Sequence, residues 1–449
     1  MRRNVVVGAA LPRPRATLRD FSSGSGSSGR WTYNRHCIGY VGCSNGLSRS
    51  ATATSTHLRS LLPSSSSPSL FSSRLCFSTS QEKKKEGDSN KVRRVDINEL
   101  KAYVRRCMLA VGCSQDKADT VAEILVEADV RGVHSHGLNR LEMYVHELQQ
   151  GEADAKAMPE IVQETASTAC VDGHNGVGMY VAKFCMELAI KKAKQSGIGW
   201  VVTRGSNHYG IAGYYAMMAS KQNMIGMSFT NTSPLVFPTR AAKAALGTNP
   251  IAVAAPTKDP EDPFVLDMAT SGVAIGKVEW KDREQKSVPM GWGVNAQGIP
   301  TTDPKMILDG GGLMPVGGPE ETAGYKGYGL AMMVELFCGV LAGSEFGVNI
   351  PPWRQGRGKA ANLGQCFVCL DPSVFGDANA FLDRSSALMQ QMRQLPAVQK
   401  DRPVLAPGDP EKATQKEYER EGIAFHQNLI DALQALAKRL NVAPLPLLK

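Results

Sequence analysis

Hydrophobic positions fall into two regimes along the chain. From Val95 to about residue 160 they recur with helical spacing. Asp96-Ile-Asn-Glu99 reads as a capped helix start, after which Leu100, Tyr103, Val104, Cys107, Met108 and Val111 share a face. A second helix begins near Ser114, with Val121, Ile124, Leu125 and Ala128 inward. A third is predicted from Ser135, whose hydroxyl can cap its N-terminus, to Gly151. At 100° per residue, His136, Arg140 and Tyr144 lie within about 80° of one another on that helix. Leu138, Leu141, Val145 and Leu148 take the opposite face. One side can pack, while the other aligns an imidazole, a guanidinium and a phenol. Such a row suits a small carboxylate-bearing anion, or simply solvent.

After about Ile161 the pattern changes to strands alternating with helices. Strands are predicted at 168–172, 198–203, 225–230, 251–255 and 264–268. Amphipathic helices follow the first two, running to Gln195 and to about Gln222. This alternation predicts an α/β layer with both sheet faces covered. Residues 280–323 are Gly- and Pro-rich and read as loop. A buried helix is predicted over 324–343, a strand over 365–371, and helices near 376–395 and 411–442. Pro407-Gly408-Asp409-Pro410 is the turn before the last helix.

Composition, 42% hydrophobic and 21% charged, is that of an ordinary globular chain. No apolar run reaches the roughly 18 residues of a membrane helix, and Leu330–Gly343 is interrupted by Glu335. The net charge of +9 resides in residues 1–80, which hold ten Arg, no Lys and one acid. The remainder is balanced at 41 basic and 41 acidic residues, so a basic nucleic-acid surface is not expected. Residues 1–80 also contain 19 Ser, the composition of an organelle transit peptide. Arg74-Leu-Cys-Phe77-Ser78 resembles a mitochondrial processing site, and the mitochondrial matrix is the expected location. The ten scattered cysteines read as reduced thiols. Cys366 and Cys369 fall on a strand, where i and i+3 point to opposite faces, so they do not share a metal or a disulfide.

Candidate chemistry lies where strands end. Arg204-Gly-Ser-Asn-His208-Tyr-Gly210 follows a strand, and a histidine there can move a proton or merely cap the helix. Asp267 ends another strand and can accept from ribose hydroxyls or cap a helix. The chain lacks a strand-to-helix G-x-G-x-x-G, so a Rossmann fold is not supported. Gly324-Tyr-Lys326-Gly327-Tyr-Gly329 could still offer free N–H groups and a cation to a phosphate, or be a plain glycine turn. His134 and His136 lack partner ligands nearby, and no metal is expected.

Eight blocks in order resemble the malate/L-lactate dehydrogenase type 2 family, which also holds sulfolactate and ureidoglycolate dehydrogenases. They are RGVHSHGLNRLEMY (131–144), VDGHNGVG (171–178), RGSNHYG (204–210), ALGTNPIAVAAP (245–256), FVLDMATS (264–271), GIPTTDP (298–304), GYKGYGL (324–330) and ANLGQ (361–365). The resemblance implies a non-Rossmann, mixed-sheet central domain and a discontinuous, mostly helical domain drawn from both chain ends. The expected division is a transit segment 1–80, a charged linker 81–94, a helical part 95–160, a central domain 161–315, and a part 316–449 that completes the helical domain. It implies homodimers or larger assemblies and reversible hydride transfer between NAD (or NADP) and a 2-hydroxy acid. His208 matches the family's proton acceptor. His136, Arg140 and Tyr144 match its substrate contacts. Thr232, Asp267, Met268, Ala269, Lys326, Gly327 and the Gly408-Asp409-Pro410 turn match dinucleotide contacts. Ureidoglycolate-type members carry an Arg where this chain has Ala361, which favours a smaller acid such as malate or L-lactate, with Arg357 near enough to substitute. Cyclic imine 2-carboxylate reduction is the family's alternative chemistry.

Overall fold

A computed structural model describes residues 92–352 and 360–448. The transit segment, most of the expected linker and Arg357 lie outside the described residues.

The two ends of the described chain meet. Strand β1 (Val92–Val95) pairs antiparallel with β12 (Ile423–His426). Helices α1 (Ile97–Ala110), α2 (Gln115–Val130) and α3 (Leu141–Gln150) follow β1, and α10 (Asp409–Glu421) and α11 (Gln427–Leu440) flank β12. Asp96 caps α1 by accepting from the N–H groups of Asn98 and Glu99. The buried Tyr103 hydroxyl donates to Leu433 O across the α1–α11 contact at 2.6 Å. Two expectations are corrected here. Val92–Val95 is a strand rather than linker, because Arg93 and Arg94 are held by Gln427 and Glu421. The helix expected over 411–442 is split, because Gly422 at φ +77 turns the chain back against Val95. A Cβ there would stand 2.8 Å from Val95 O, so only glycine permits this return.

The central sheet has seven strands in the order β2 (Glu160–Glu164), β3 (Thr168–Asp172), β4 (Ile198–Ser206), β11 (Leu363–Leu370), β5 (Ile225–Thr230), β6 (Ile251–Ala255) and β7 (Phe264–Met268). Only β3 and β4 are parallel, joined across helix α4 (Gly178–Ser196). All other neighbours are antiparallel, so the sheet is mixed. Helix α5 (Ala212–Ser220) packs on the same face as α4. β11 is the middle strand, so the chain beyond residue 316 is not confined to the helical layer. Its cysteines point apart as expected. Cys366 packs with Val202, Phe229 and Cys338, and Cys369 joins the core beneath α4 and α5.

Between β7 and β11 the chain is less loop-like than its glycines suggest. Helices α6 (Ile275–Arg283) and α7 (Pro304–Leu308) and the short strands β8 (Gly293–Val294), β9 (Pro300–Thr301) and β10 (Gly312–Leu313) build a small lobe with its own core around Val236, Val278, Ile307 and Leu313. Helix α8 (Gly324–Glu335) runs on into a π-helical turn, Leu336–Val340. It is not the wholly buried helix expected. Gly327, Ala331, Val334 and Cys338 face inward, whereas Tyr325, Met332, Leu336 and Val340 are each about half exposed. After β11, helix α9 (Ala378–Arg393) lies on the surface with Met389 as its one buried side chain.

Candidate active site

One cavity of about 640 Å³ lies between the helical layer and the sheet, within the size range of small-molecule sites. Its wall gathers side chains that are far apart in sequence.

The stretch 131–144 supplies the first part, though not as one helix. Two 3-10 turns, His134–His136 and Leu138–Arg140, precede α3. Gly137 separates them at φ −90, ψ −142. Ser135 does not cap a helix; its hydroxyl lies 2.8 Å from His136 Nδ1. The 100° phase therefore fails before Leu141, and the three polar side chains do not form one row. His136 and Arg140 line the cavity. Tyr144 is buried behind it, with its hydroxyl 2.5 Å from His208 Nδ1. The apolar face behaves as predicted, with Leu138, Leu141 and Val145 in the core. Arg140 is held by Nε donating to Ser135 O at 2.7 Å.

His208 enters from the end of β4. Its loop is held by the ANLGQ block on β11. Gln365 Nε2 donates to Asn207 O at 2.9 Å, Ser206 Oγ donates to Gln365 Oε1 at 3.0 Å, and Gly205 N–H donates to Asn362 Oδ1 at 2.9 Å. Gly178, at the start of α4, lets this loop pass, since a Cβ there would lie 2.5 Å from His208 O. The His208 and His136 rings stack at 5.6 Å. Desolvation, followed by the charges of His136 and Arg140, lowers His208 to about 3. Desolvation and then Arg140 lower His136 to about 4. Both imidazoles are therefore neutral at physiological pH. With Nδ1 of His208 taken by Tyr144, Nε2 is the nitrogen left to exchange a proton with a ligand.

The opposite wall comes from the sheet. Thr232, Asp267, Met268 and Ala269 all line the cavity. Thr232 is braced by Thr248 N–H donating to its Oγ1 at 3.0 Å and by its own N–H donating to Asn249 Oδ1 at 3.1 Å. Asn249 is tied in turn to the buried Glu335 at 2.9 Å, which explains an acid within the apolar α8. Asp267 Oδ2 accepts Gly213 N–H at 2.7 Å, so it caps the first turn of α5 while remaining open to the cavity. Enclosure by the walls raises its pKa to about 6, opposed by the Gly213 hydrogen bond and Arg131.

Not every expected residue reaches the wall. Lys326 is exposed and does not line the cavity, and Gly327 packs under Val316, which does. Gly408 abuts Val265 of the wall. Asp409 is engaged by Arg393 through two hydrogen bonds of 2.9 and 2.6 Å and by Ala406 N–H, and Pro410 leads into α10, whose Glu411 faces inward. A cation and helix start that sequence reading missed are supplied instead by α6. Ala274, Ile275, Gly276 and Lys277 line the cavity, and among the described residues no side chain caps the first N–H groups of that helix. Free N–H groups beside an ammonium suit a phosphate, so the wall fits a dinucleotide. Glu147 was also missed, although it lies seven residues after Arg140 on the same face. Desolvation and the neighbouring Glu152 raise it to about 7. His134, weighed above as a metal ligand, is bonded to Asp129 and Tyr418 instead. Among the described residues no group of three His, Cys, Asp or Glu could hold a metal ion.

The profile of the family described as malate/L-lactate dehydrogenase matches residues 95–434. Malate dehydrogenase of Pyrococcus horikoshii is 39% identical over 356 residues, 79% of this chain and 97% of that protein. The crystal structure of malate dehydrogenase from Entamoeba histolytica superposes with a TM-score of 0.75 at 31% identity, covering 79% of this chain and 99% of that one. Delta1-piperideine-2-carboxylate reductase from Pseudomonas syringae superposes with a TM-score of 0.69 at 32% identity, covering 77% and 100%. The chain belongs to the malate/L-lactate dehydrogenase family.

Proposed function

We propose that this chain reversibly transfers a hydride between NAD and a small 2-hydroxy acid of malate or lactate size. The observation that carries the reading is the sharing of one cavity wall by Arg140 and His208, with the 267–269 strand end and Thr232 also lining it. Arg140 pairs with the substrate carboxylate through charge-assisted hydrogen bonds, which its planar fork allows in parallel. That pairing offsets one of the positive charges that depress His208, so substrate binding raises the basicity of the imidazole. In oxidation His208 Nε2 takes the hydroxyl proton while Nδ1 rests against the Tyr144 hydroxyl. In reduction the imidazolium returns the proton to the 2-oxygen. His136 stacks on His208 and holds its plane. The nicotinamide cofactor, when bound, supplies the hydride chemistry. Thr232, the 267–269 strand end and the start of α6 would hold it. Acidic side chains at Asp267 and Glu411 favour a ribose hydroxyl over a 2′-phosphate, hence NAD over NADP. Ala361 leaves no cation of its own for a larger substrate, in keeping with a small acid.

The test is a panel of malate, L-lactate, sulfolactate, ureidoglycolate and a cyclic imine 2-carboxylate, each with both cofactors. Turnover confined to the imine would replace this reading with that of the reductase relative. His208→Ala should lower kcat by about 10²–10⁴ while leaving the Kd for NADH within about twofold. Turnover near that of the unaltered protein would remove His208 from the mechanism. We further propose delivery to the mitochondrial matrix by residues 1–80, supported by their Arg- and Ser-rich, acid-poor composition. A fluorescent protein fused to those residues should co-localise with mitochondria, and a diffuse signal would reject the proposal. Finally, we propose a homodimer or larger assembly, supported by the half-exposed apolar face of α8.

A further inference from the structure

The break at Gly137 that presents His136 and Arg140 is held from behind by groups that line no part of the cavity. Asp129, in the last turn of α2, is fully buried. Its Oδ2 accepts Leu138 N–H at 2.7 Å, and its Oδ1 lies 2.8 Å from His134 Nδ1. His134 Nε2 in turn lies 3.2 Å from the Tyr418 hydroxyl on α10, with the two rings 5.8 Å apart. The carboxylate fills the space beside the break, because a Cβ on Gly137 would stand 2.2 Å from it. α10 meets the same corner a second time, where Thr414 packs against Gly132. About two turns before Tyr418 on α10, Glu411 faces the cavity.

We propose that Asp129, His134 and Tyr418 form a positioning line that ties α10 to the 134–140 segment and so sets where His136 and Arg140 stand in the wall. Nothing local favours the break itself. Two short 3-10 turns carry few internal hydrogen bonds, and the Leu138 N–H would be orphaned without the carboxylate. A buried acceptor that takes one N–H from each side of the break supplies what the segment lacks. The line also makes the substrate wall depend on α10, the helix that contributes Glu411 on the cofactor side. The effect on turnover rests on the dehydrogenase reading; the effect on the segment does not.

Two variants of the full chain test this. Tyr418→Phe removes one hydroxyl from a half-exposed helix and leaves the fold intact. Asp129→Asn keeps the shape of the side chain and one acceptor oxygen but loses the second. Hydrogen exchange of the peptide spanning 134–140 should quicken by about threefold in Tyr418→Phe and about tenfold or more in Asp129→Asn, with α11 unchanged. With the 2-hydroxy acid that the panel identifies, KM should rise by about threefold to tenfold in Tyr418→Phe while kcat stays within about twofold. Asp129→Asn should lower kcat as well, since a displacement of about 1 Å can cost about a hundredfold. Unchanged exchange at 134–140 in Tyr418→Phe overturns the proposal, and so does quickened exchange spread equally over α11. Should the unaltered protein turn over no acid in the panel, the dehydrogenase reading fails, and the exchange comparison still decides the positioning line.

Discussion

His136, His208 and Glu147 titrate in opposite senses within one cavity, and their effects on stability separate by pH. The two histidines have folded pKa values of about 4 and about 3, below the unfolded value near 6.5. Where the unfolded chain binds a proton and the native one does not, stability rises with pH. Their contribution is complete above about pH 6.5 and is lost as the pH falls through their folded values. Glu147 is reversed, with a folded pKa of about 7 against an unfolded value near 4.5. Its penalty is absent below about pH 4.5 and complete above about pH 7. Glu147→Gln should therefore stabilise the protein at pH 8, by on the order of 1 kcal/mol after screening through the open side of the cavity, and leave it unchanged at pH 4. Thermal melts at both pH values check this, and an equal shift at the two would show a packing effect instead. At this scale the sequence reading placed His208 at a strand end, and the structure has it just past β4 in the cavity wall. A histidine at a strand end in an α/β layer is a local pattern, and His208 occupies it. It placed Tyr144 on the substrate when the structure places it on His208. That difference depends on a break at Gly137 whose cause, Asp129, lies eight residues earlier and carries no local signal.

At the scale of elements, the regular strands and helices were legible wherever one face is buried. The strands predicted at 168–172, 225–230, 251–255 and 264–268 are strands with those bounds. What escaped was structure made by long-range pairing. Val92–Val95 looks like a charged linker until Ile423–His426 lies beside it. The final helix looks continuous until Gly422 is required to clear Val95 O. Lys326 advertised a phosphate site through glycine spacing, whereas Lys277 serves the cavity through the start of α6, which no motif marks. The fitting of one element against another predicts its own sensitivities. Gly178→Ala would drive a methyl against the carbonyls of Asn207 and His208, at 2.3 and 2.5 Å. Backbone cannot yield as a side-chain tip can, so the loop bearing His208 must move. The substitution should cost about 1–3 kcal/mol in urea denaturation and lower kcat by more than tenfold, since placement of the base is lost. Stability and kcat both at the level of the unaltered protein would show that the loop accommodates the methyl freely.

At the scale of the whole molecule, the apolar surface bears on assembly. Along α8 and the π-helical turn, Tyr325, Met332, Leu336 and Val340 follow a spacing of seven, four and four residues, and all are 46–56% exposed. Gly329 sits on the same line with open space where a side chain would be. A buried helix face explains a stripe on one side of α8, but not this second stripe on the other. An isologous contact between two copies would bury it, because a two-fold axis sets each stripe against itself. Charge placed in the centre of a self-facing stripe meets its own copy and is counted twice. Leu336→Glu should thus convert a dimer into a monomer in sedimentation velocity, with far-ultraviolet dichroism unchanged. Because α8 also carries Glu335, which braces Asn249 and through it Thr232, loss of the partner should weaken NAD binding more than it lowers the fold's melting temperature. A variant that still sediments as the unaltered protein does would exclude this face from the interface.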